Sequence, residues 1–162
     1  MTEQNYLKTL EFLRKKPSLG SLCVLCGRII TVCVYILYPL LLPLTFGLAR
    51  DKFLHVLLVP AVSFLAVTLI RHIINAPRPY EKYNIVPLYN KKTKGKSFPS
   101  RHTFSVFIIA FSCMFLNVPL GLAVTALGII LAVTRVLCGV HFIKDVLAGF
   151  ICAAVSALGF LI

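Results

Sequence analysis

Three short clusters hold most of the side chains in this sequence that can do chemistry together. The first is Arg71-His72-Ile73-Ile74-Asn75-Ala76-Pro77-Arg78-Pro79 and the second is Phe98-Pro99-Ser100-Arg101-His102-Thr103. The third runs from Thr134-Arg135 to His141 and on to Asp145. Arginines present planar, permanently charged donor forks that match phosphate oxygens. Residues 100–103 read as the start of a helix, where free N–H groups and the positive dipole end favour an anion. Ser100 is a natural helix cap there, with a hydroxyl to donate. His141 and Asp145, spaced i and i+4, share one helix face. The carboxylate can then accept from one ring nitrogen and leave the other as an oriented nucleophile. His102, on a different helix, is placed to protonate a leaving oxygen and later to activate water. Such a set suits in-line transfer of a phosphoryl group, with charge stabilisation supplied by fixed cations.

The elements that must position these residues are membrane helices. The chain has 162 residues, 59% of them hydrophobic, and a mean hydropathy of +0.90. Apolar runs of about 20 residues are long enough to cross a bilayer. They fall near 21–48, 53–75, 101–116, 119–137 and from 141 to the C-terminus. The expected fold is therefore all-α, a polytopic transmembrane bundle of about five spans forming a single domain over 1–162. Before the first span, Tyr6, Leu10 and Leu13 recur at helical spacing among lysines and arginines. Residues 1–20 thus predict an amphipathic helix lying at the interface, ended by Pro17 and Gly20. Pro39 and Pro43 predict a kink or break in the first span. Gly149, Ala153 and Ala157 form a small-residue stripe suited to close helix packing. The cysteine pair Cys23-x-x-Cys26 has no second half at zinc-like spacing, so the six cysteines read as small buried apolar side chains.

Counting spans places the end of the second, the start of the third, the end of the fourth and the start of the fifth on one side. Those are the places where the three clusters occur, joined by the polar stretch 76–100, the expected active-site loop. Taken singly, each feature has a plainer reading. An arginine at a helix end is an interfacial anchor, and an Asp–His pair one turn apart is a local polar contact. Lys91, Lys92, Lys94 and Lys96 read as a solvated loop. The plain readings weaken together, because ionisable groups beside membrane spans are costly and here they gather at one level.

In order and spacing the clusters resemble the signature of the type 2 phosphatidic acid phosphatase superfamily, which includes membrane lipid phosphatases and vanadium-dependent haloperoxidases. That signature reads Lys-x6-Arg-Pro, Pro-Ser-Gly-His and Ser-Arg-x5-His-x3-Asp. This chain has Arg71-x6-Arg78-Pro79, Pro99-Ser100-Arg101-His102 and Thr134-Arg135-x5-His141-x3-Asp145. The resemblance implies phosphate binding by Arg71, Arg78, Ser100 and Arg135. It also implies His102 as general acid, His141 as the nucleophile that becomes a phosphohistidine, and Asp145 as its orienting partner. It implies no metal and no cofactor. The chain departs from the pattern at three positions. Arg71 and Thr134 keep the charge and the hydroxyl of the usual residues. Arg101 in place of glycine puts a bulky cation at the mouth of the site, where it can reach a second phosphate, a headgroup or a loop partner.

The net charge of +12 fits anionic headgroups or a phosphorylated substrate. Without aromatic–basic interleaving on a soluble surface, nucleic acid is not an expected partner. The substrate expected is an isoprenoid or glycerophospholipid phosphate, with undecaprenyl diphosphate and phosphatidylglycerophosphate as candidates. The alternative is a non-catalytic lipid-phosphate binding or transport protein on the same scaffold. Sidedness draws on opposed arguments. Residues 71–101 carry eight Lys or Arg and one acidic residue, which points to the cytoplasm. The resemblance points to a bacterial plasma membrane with the site on its extracytoplasmic face, and phosphate binding itself accounts for the loop's charge.

Overall fold

A computed structural model describes residues 1–89, 91 and 93–162; the reading of Lys92 lies outside them. Thr2 caps the first helix, α1 (Glu3–Lys15), by accepting the Asn5 N–H. Pro17 opens α2 (Pro17–Leu48), a position where its missing N–H costs nothing. Pro17 thus closes one helix and starts the next. Gly20, expected to help end the first helix, instead lies inside the second. A Cβ at Gly20 would come within 2.8 Å of the Leu13 carbonyl oxygen, so its absence lets α1 fold back against α2. Pro39 and Pro43 do not break α2, which runs for 32 residues, about 48 Å at the usual rise.

A short 3-10 turn leads to α3 (Phe53–Ile74), which stops where Asn75 turns left-handed at φ 42°, a conformation asparagine tolerates. The loop beyond it holds one turn of helix, α4 (Pro79–Lys82). Three more helices follow: α5 (Arg101–Leu116), α6 (Val118–Leu137) and α7 (Ile143–Ala157). The described residues contain helices and no strands, the expected all-α polytopic bundle. Four helical stretches are long and apolar enough to cross a membrane: Pro17–Leu48, Arg50–Lys82, Val118–Leu137 and Ile143–Phe160. The fifth expected span, α5, has 16 residues and is apolar but shorter. Its place explains its composition. It packs against α2, α3, α6 and α7, and every residue from Thr103 to Ala110 is buried, so it is apolar all round. The outer helices leave Leu and Ile exposed, for example Leu65 and Leu69 on α3 and Ile129 on α6, as a lipid-facing surface does.

The small-residue stripe on α7 does the packing expected of it. Gly149 and Ala153 are buried, and a Cβ on Gly149 would approach the Ser100 carbonyl oxygen to 2.6 Å. Because backbone blocks that space, Gly149→Val is expected to separate α5 from α7. The expected cost is about 2 kcal/mol or more, read as a lower melting temperature in detergent. Among the cysteines, Cys113 and Cys138 are buried, whereas Cys33 is exposed on α2 and does not follow the buried reading. The apolar face of α1 is also not simply laid on lipid. Tyr6, Leu10 and Leu13 are buried against protein, while Leu7 and Phe12 stay half exposed.

Candidate active site

At one end of the bundle, backbone and side-chain hydrogen bonds tie the three clusters together. Arg71 leaves the last turn of α3 and donates to the carbonyls of Lys96, Ser97 and Pro99. Arg78 donates to Gly95 at 3.1 Å and reaches the carbonyls of Lys96 and Val140. The two arginines therefore clamp the segment 95–99, and Arg78 joins it to the segment that carries His141. The turn needs two special residues. Gly95 has φ +65°, and any Cβ there would strike the Asn75 amide oxygen. Its N–H is held by both Glu81 carboxylate oxygens at 2.9 Å. Glu81 also accepts the Arg78 N–H at 2.8 Å, so one carboxylate fixes both ends of the loop.

His141 sits in the turn between α6 and α7. Gly139 makes that turn possible with φ +73°, and the His141 N–H returns to the Arg135 carbonyl at 3.2 Å. The imidazole is 1% exposed, and its Nδ1 lies 3.4 Å from Asp145 Oδ2. The same carboxylate oxygen accepts the Phe142 N–H at 2.9 Å and the Ser97 hydroxyl at 2.5 Å. Burial lowers the His141 pKa below its ordinary value, and the hydrogen bond to Asp145 opposes it without overcoming it. The ring is thus held neutral, with one nitrogen committed to the carboxylate and Nε2 left for chemistry.

The other expected residues fall into place with some corrections. Ser100 occupies the N-cap position of α5, but its hydroxyl makes no cap bond. Instead its N–H binds the Asp145 carbonyl at 2.8 Å, and its oxygen accepts the Thr103 hydroxyl at 3.0 Å. His102 and Arg101 line one cavity of about 340 Å³ together with Arg71, Arg78, Lys91 and Lys96. Lys91, read from the sequence as part of a solvated loop, is half-buried in that wall. Lys94 on the same loop remains exposed, as expected. Arg135 and His141 are not on the wall of this cavity. Arg135 is turned toward α2, donating to the Thr31 hydroxyl at 3.0 Å with its guanidinium 5.0 Å from the Tyr89 ring centroid. Its Nε is buried without a partner among the described residues.

Four residues in this network escaped the sequence reading: Ser97, Tyr6, Thr31 and Tyr89. Tyr6 on α1 donates its phenol to the His141 carbonyl at 3.1 Å. Tyr89 packs where Gly27 leaves room, with its hydroxyl on the Val24 carbonyl at 3.3 Å. Tyr6 sits at a periodic position of α1, but that spacing says nothing of His141; Ser97, Thr31 and Tyr89 sit at no periodic or motif position, and only tertiary contact reveals these roles.

The family model described as the PAP2 superfamily matches residues 52–162, a span that contains all three clusters. The chain belongs to the PAP2 superfamily. It is an integral membrane lipid phosphatase, a phosphoric ester hydrolase with lipid substrates. No curated protein matches the sequence. Among solved structures, Aquifex aeolicus LpxE is similar with a TM-score of 0.71 and 23% identity, over 90% of this chain and 86% of that one. A transmembrane PAP2-type phosphatidylglycerolphosphate phosphatase from Bacillus subtilis is similar with a TM-score of 0.65 and 23% identity, over 90% of this chain and 74% of that one. At that identity the likeness speaks for the fold, and its coverage carries the shared architecture into α2, beyond the family match.

Proposed function

We propose that this phosphatase hydrolyses a lipid phosphate or lipid diphosphate, without a metal, through a phosphohistidine on His141. The observation that carries this reading is the buried His141–Asp145–Ser97 network beside a cavity walled by cations and His102. His141 Nε2 attacks the terminal phosphorus and the P–O bond to the lipid breaks in line. His102 gives its proton to the departing oxygen. Arg71, Arg78 and Arg135 neutralise the equatorial oxygens, with Ser100 as a hydroxyl donor. Arg135 Nε has no partner among the described residues and is a spare donor, but the side chain lies off the cavity wall and must turn from Thr31 to reach such an oxygen. His102, now neutral, takes a proton from water, the water oxygen attacks the phosphohistidine, and inorganic phosphate leaves with His141 restored.

Undecaprenyl diphosphate and phosphatidylglycerophosphate are the candidate substrates, and a bacterial plasma membrane with the site on the extracytoplasmic face is the proposed setting. The Bacillus neighbour's name supports the second candidate, while the uneven charge of the loop supports neither side of the membrane by itself. The test is release of inorganic phosphate from these lipids by detergent-purified protein in excess chelator, with inhibition by vanadate. Binding without turnover would mark the protein as a lipid-phosphate carrier, and an absolute need for added divalent metal would overturn the mechanism.

Ser97→Ala checks the orienting network. Removing the 2.5 Å bond to Asp145 frees the carboxylate to rotate away from the imidazole. A partner that orients a catalytic group in this way is worth about 10- to 100-fold, expected here in kcat with KM little changed. A change in KM alone would place Ser97 in substrate binding instead.

A further inference from the structure

The cations around the cavity fall into two layers. The inner layer, Arg71 and Arg78, is buried and spends much of its donor capacity on the carbonyls of residues 95–99 and 140. The outer layer includes Lys91 and Arg101, with Lys94 and Lys96 on the same wall. Arg101 is exposed, its guanidinium 5.5 Å from the Phe64 ring centroid. It is also the residue shared by two cavities. It lines both the polar one with His102 and an apolar cleft of about 480 Å³ between α2, α3 and α5, walled by Tyr38, Phe64 and Ile108 among others. Lys91 and Arg101 both line the polar cavity. Burial pushes Lys91 down to about 8, helped by Arg78, Arg135, Arg71 and Arg101 around it. No carboxylate lines the polar cavity among the described residues. A phosphate monoester brings at most two negative charges, too few for both layers.

We propose that Lys91 and Arg101 form a second anion subsite, which holds the inner phosphate of a lipid diphosphate while His141 attacks the terminal one. This rests on the phosphatase reading above and deepens it. Arg101 stands where the cation-lined cavity meets the apolar cleft, with Lys91 on the cavity side, the order that phosphate, phosphate and hydrocarbon take along such a lipid. It acts on the leaving group. As the phosphoanhydride P–O bond breaks, the electron pair stays on the oxygen of the departing lipid monophosphate. Lys91 and Arg101 lie where that charge grows, and His102 delivers the proton. Both residues stand outside the three-part motif pattern, Arg101 by replacing its glycine and Lys91 by lying in the intervening loop.

The experiment compares a prenyl diphosphate with the monophosphate of the same prenyl chain, in wild type, Lys91→Gln and Arg101→Gly. Wild type is expected to favour the diphosphate in kcat/KM. Each substitution is expected to lower the diphosphate-to-monophosphate ratio by about tenfold or more, since an ionic hydrogen bond to a growing charge is lost. Lys91→Arg and Arg101→Lys, which keep the charge, are expected to restore most of the ratio. A ratio that holds within about twofold while both activities fall together would overturn the subsite, as would a wild-type preference for the monophosphate. If wild type releases phosphate from neither lipid nor from phosphatidylglycerophosphate, the phosphatase reading itself fails, a result distinct from an unresponsive ratio.

Discussion

His141→Ala is expected to abolish turnover, lowering kcat by at least about 10⁴-fold, because losing a nucleophile removes the whole covalent route. The geometry makes the loss hard to rescue. His141 is sealed at 1% exposure, so water admitted by the substitution has no oriented path to the phosphorus. His102 stays in its own helix and cannot substitute, since among the described residues Asp145 is hydrogen-bonded to His141, Ser97 and Phe142 and not to His102. Two companion measurements separate the roles. After a brief exposure to radiolabelled substrate and acid quenching adapted to phosphohistidine, wild type is expected to carry label and His141→Ala none. His102→Ala is expected to carry label but to release it slowly, because it loses the group that activates water. Normal turnover in His141→Ala would end the proposed mechanism. The pH dependence follows from the same residue. In the proposed mechanism its neutral form attacks, and burial lowers its pKa. Activity therefore persists as pH falls through the ordinary histidine range, and is lost only when protonation finally reaches the buried ring.

How far the sequence carried is set by what each feature depends on. Helix positions were legible because lipid requires long apolar runs, and α3, α5 and α6 match them almost residue for residue. The end of the bundle that carries the clusters was legible from span counting alone, since helices must alternate direction. Of the kink or break expected at Pro39 and Pro43, the break does not occur, because a membrane helix keeps its continuity where neighbours and lipid leave it no alternative. The catalytic candidates were legible from spacing, but their arrangement was not. Arg71 and Arg78 were read as phosphate ligands, and in the structure they also clamp the loop through five carbonyl oxygens, those of residues 95, 96, 97, 99 and 140. A lysine-rich loop is ordinarily solvated, and only the half-burial of Lys91 in the cavity wall shows otherwise. Ser97 carries no periodic signal at all, as its partner Asp145 lies 48 positions away.

Tyr6→Phe is expected to lower kcat by about tenfold while KM changes little, although Tyr6 lies in a helix outside the family match. The backbone that carries His141 has its polar groups paired one by one. The Val140 and His141 N–H groups go to the Arg135 carbonyl, and the Phe142 N–H goes to Asp145. The Val140 carbonyl accepts from Arg78, and the Phe142 carbonyl accepts from Asp145 and Val146. The His141 carbonyl is left, and it accepts from the Tyr6 phenol. Removing that hydroxyl leaves a buried carbonyl unpaired, which costs about 1–3 kcal/mol. The segment can recover that energy only by rotating the peptide that positions the imidazole. The rest of α1 reinforces the contact. Tyr6 packs edge-on to Phe142 at 6.0 Å, Leu10 covers Gly139, and Arg14 donates to the Val86 carbonyl. The helix holds both the nucleophile's turn and the loop beside it, and Leu7 and Phe12 stay exposed for lipid. A purely structural role predicts that kcat recovers when assayed well below the melting temperature. A positioning role predicts a kcat deficit that persists there, together with weaker inhibition by vanadate, which needs the same imidazole geometry. Wild-type kcat in Tyr6→Phe would show that the turn holds His141 without help from α1.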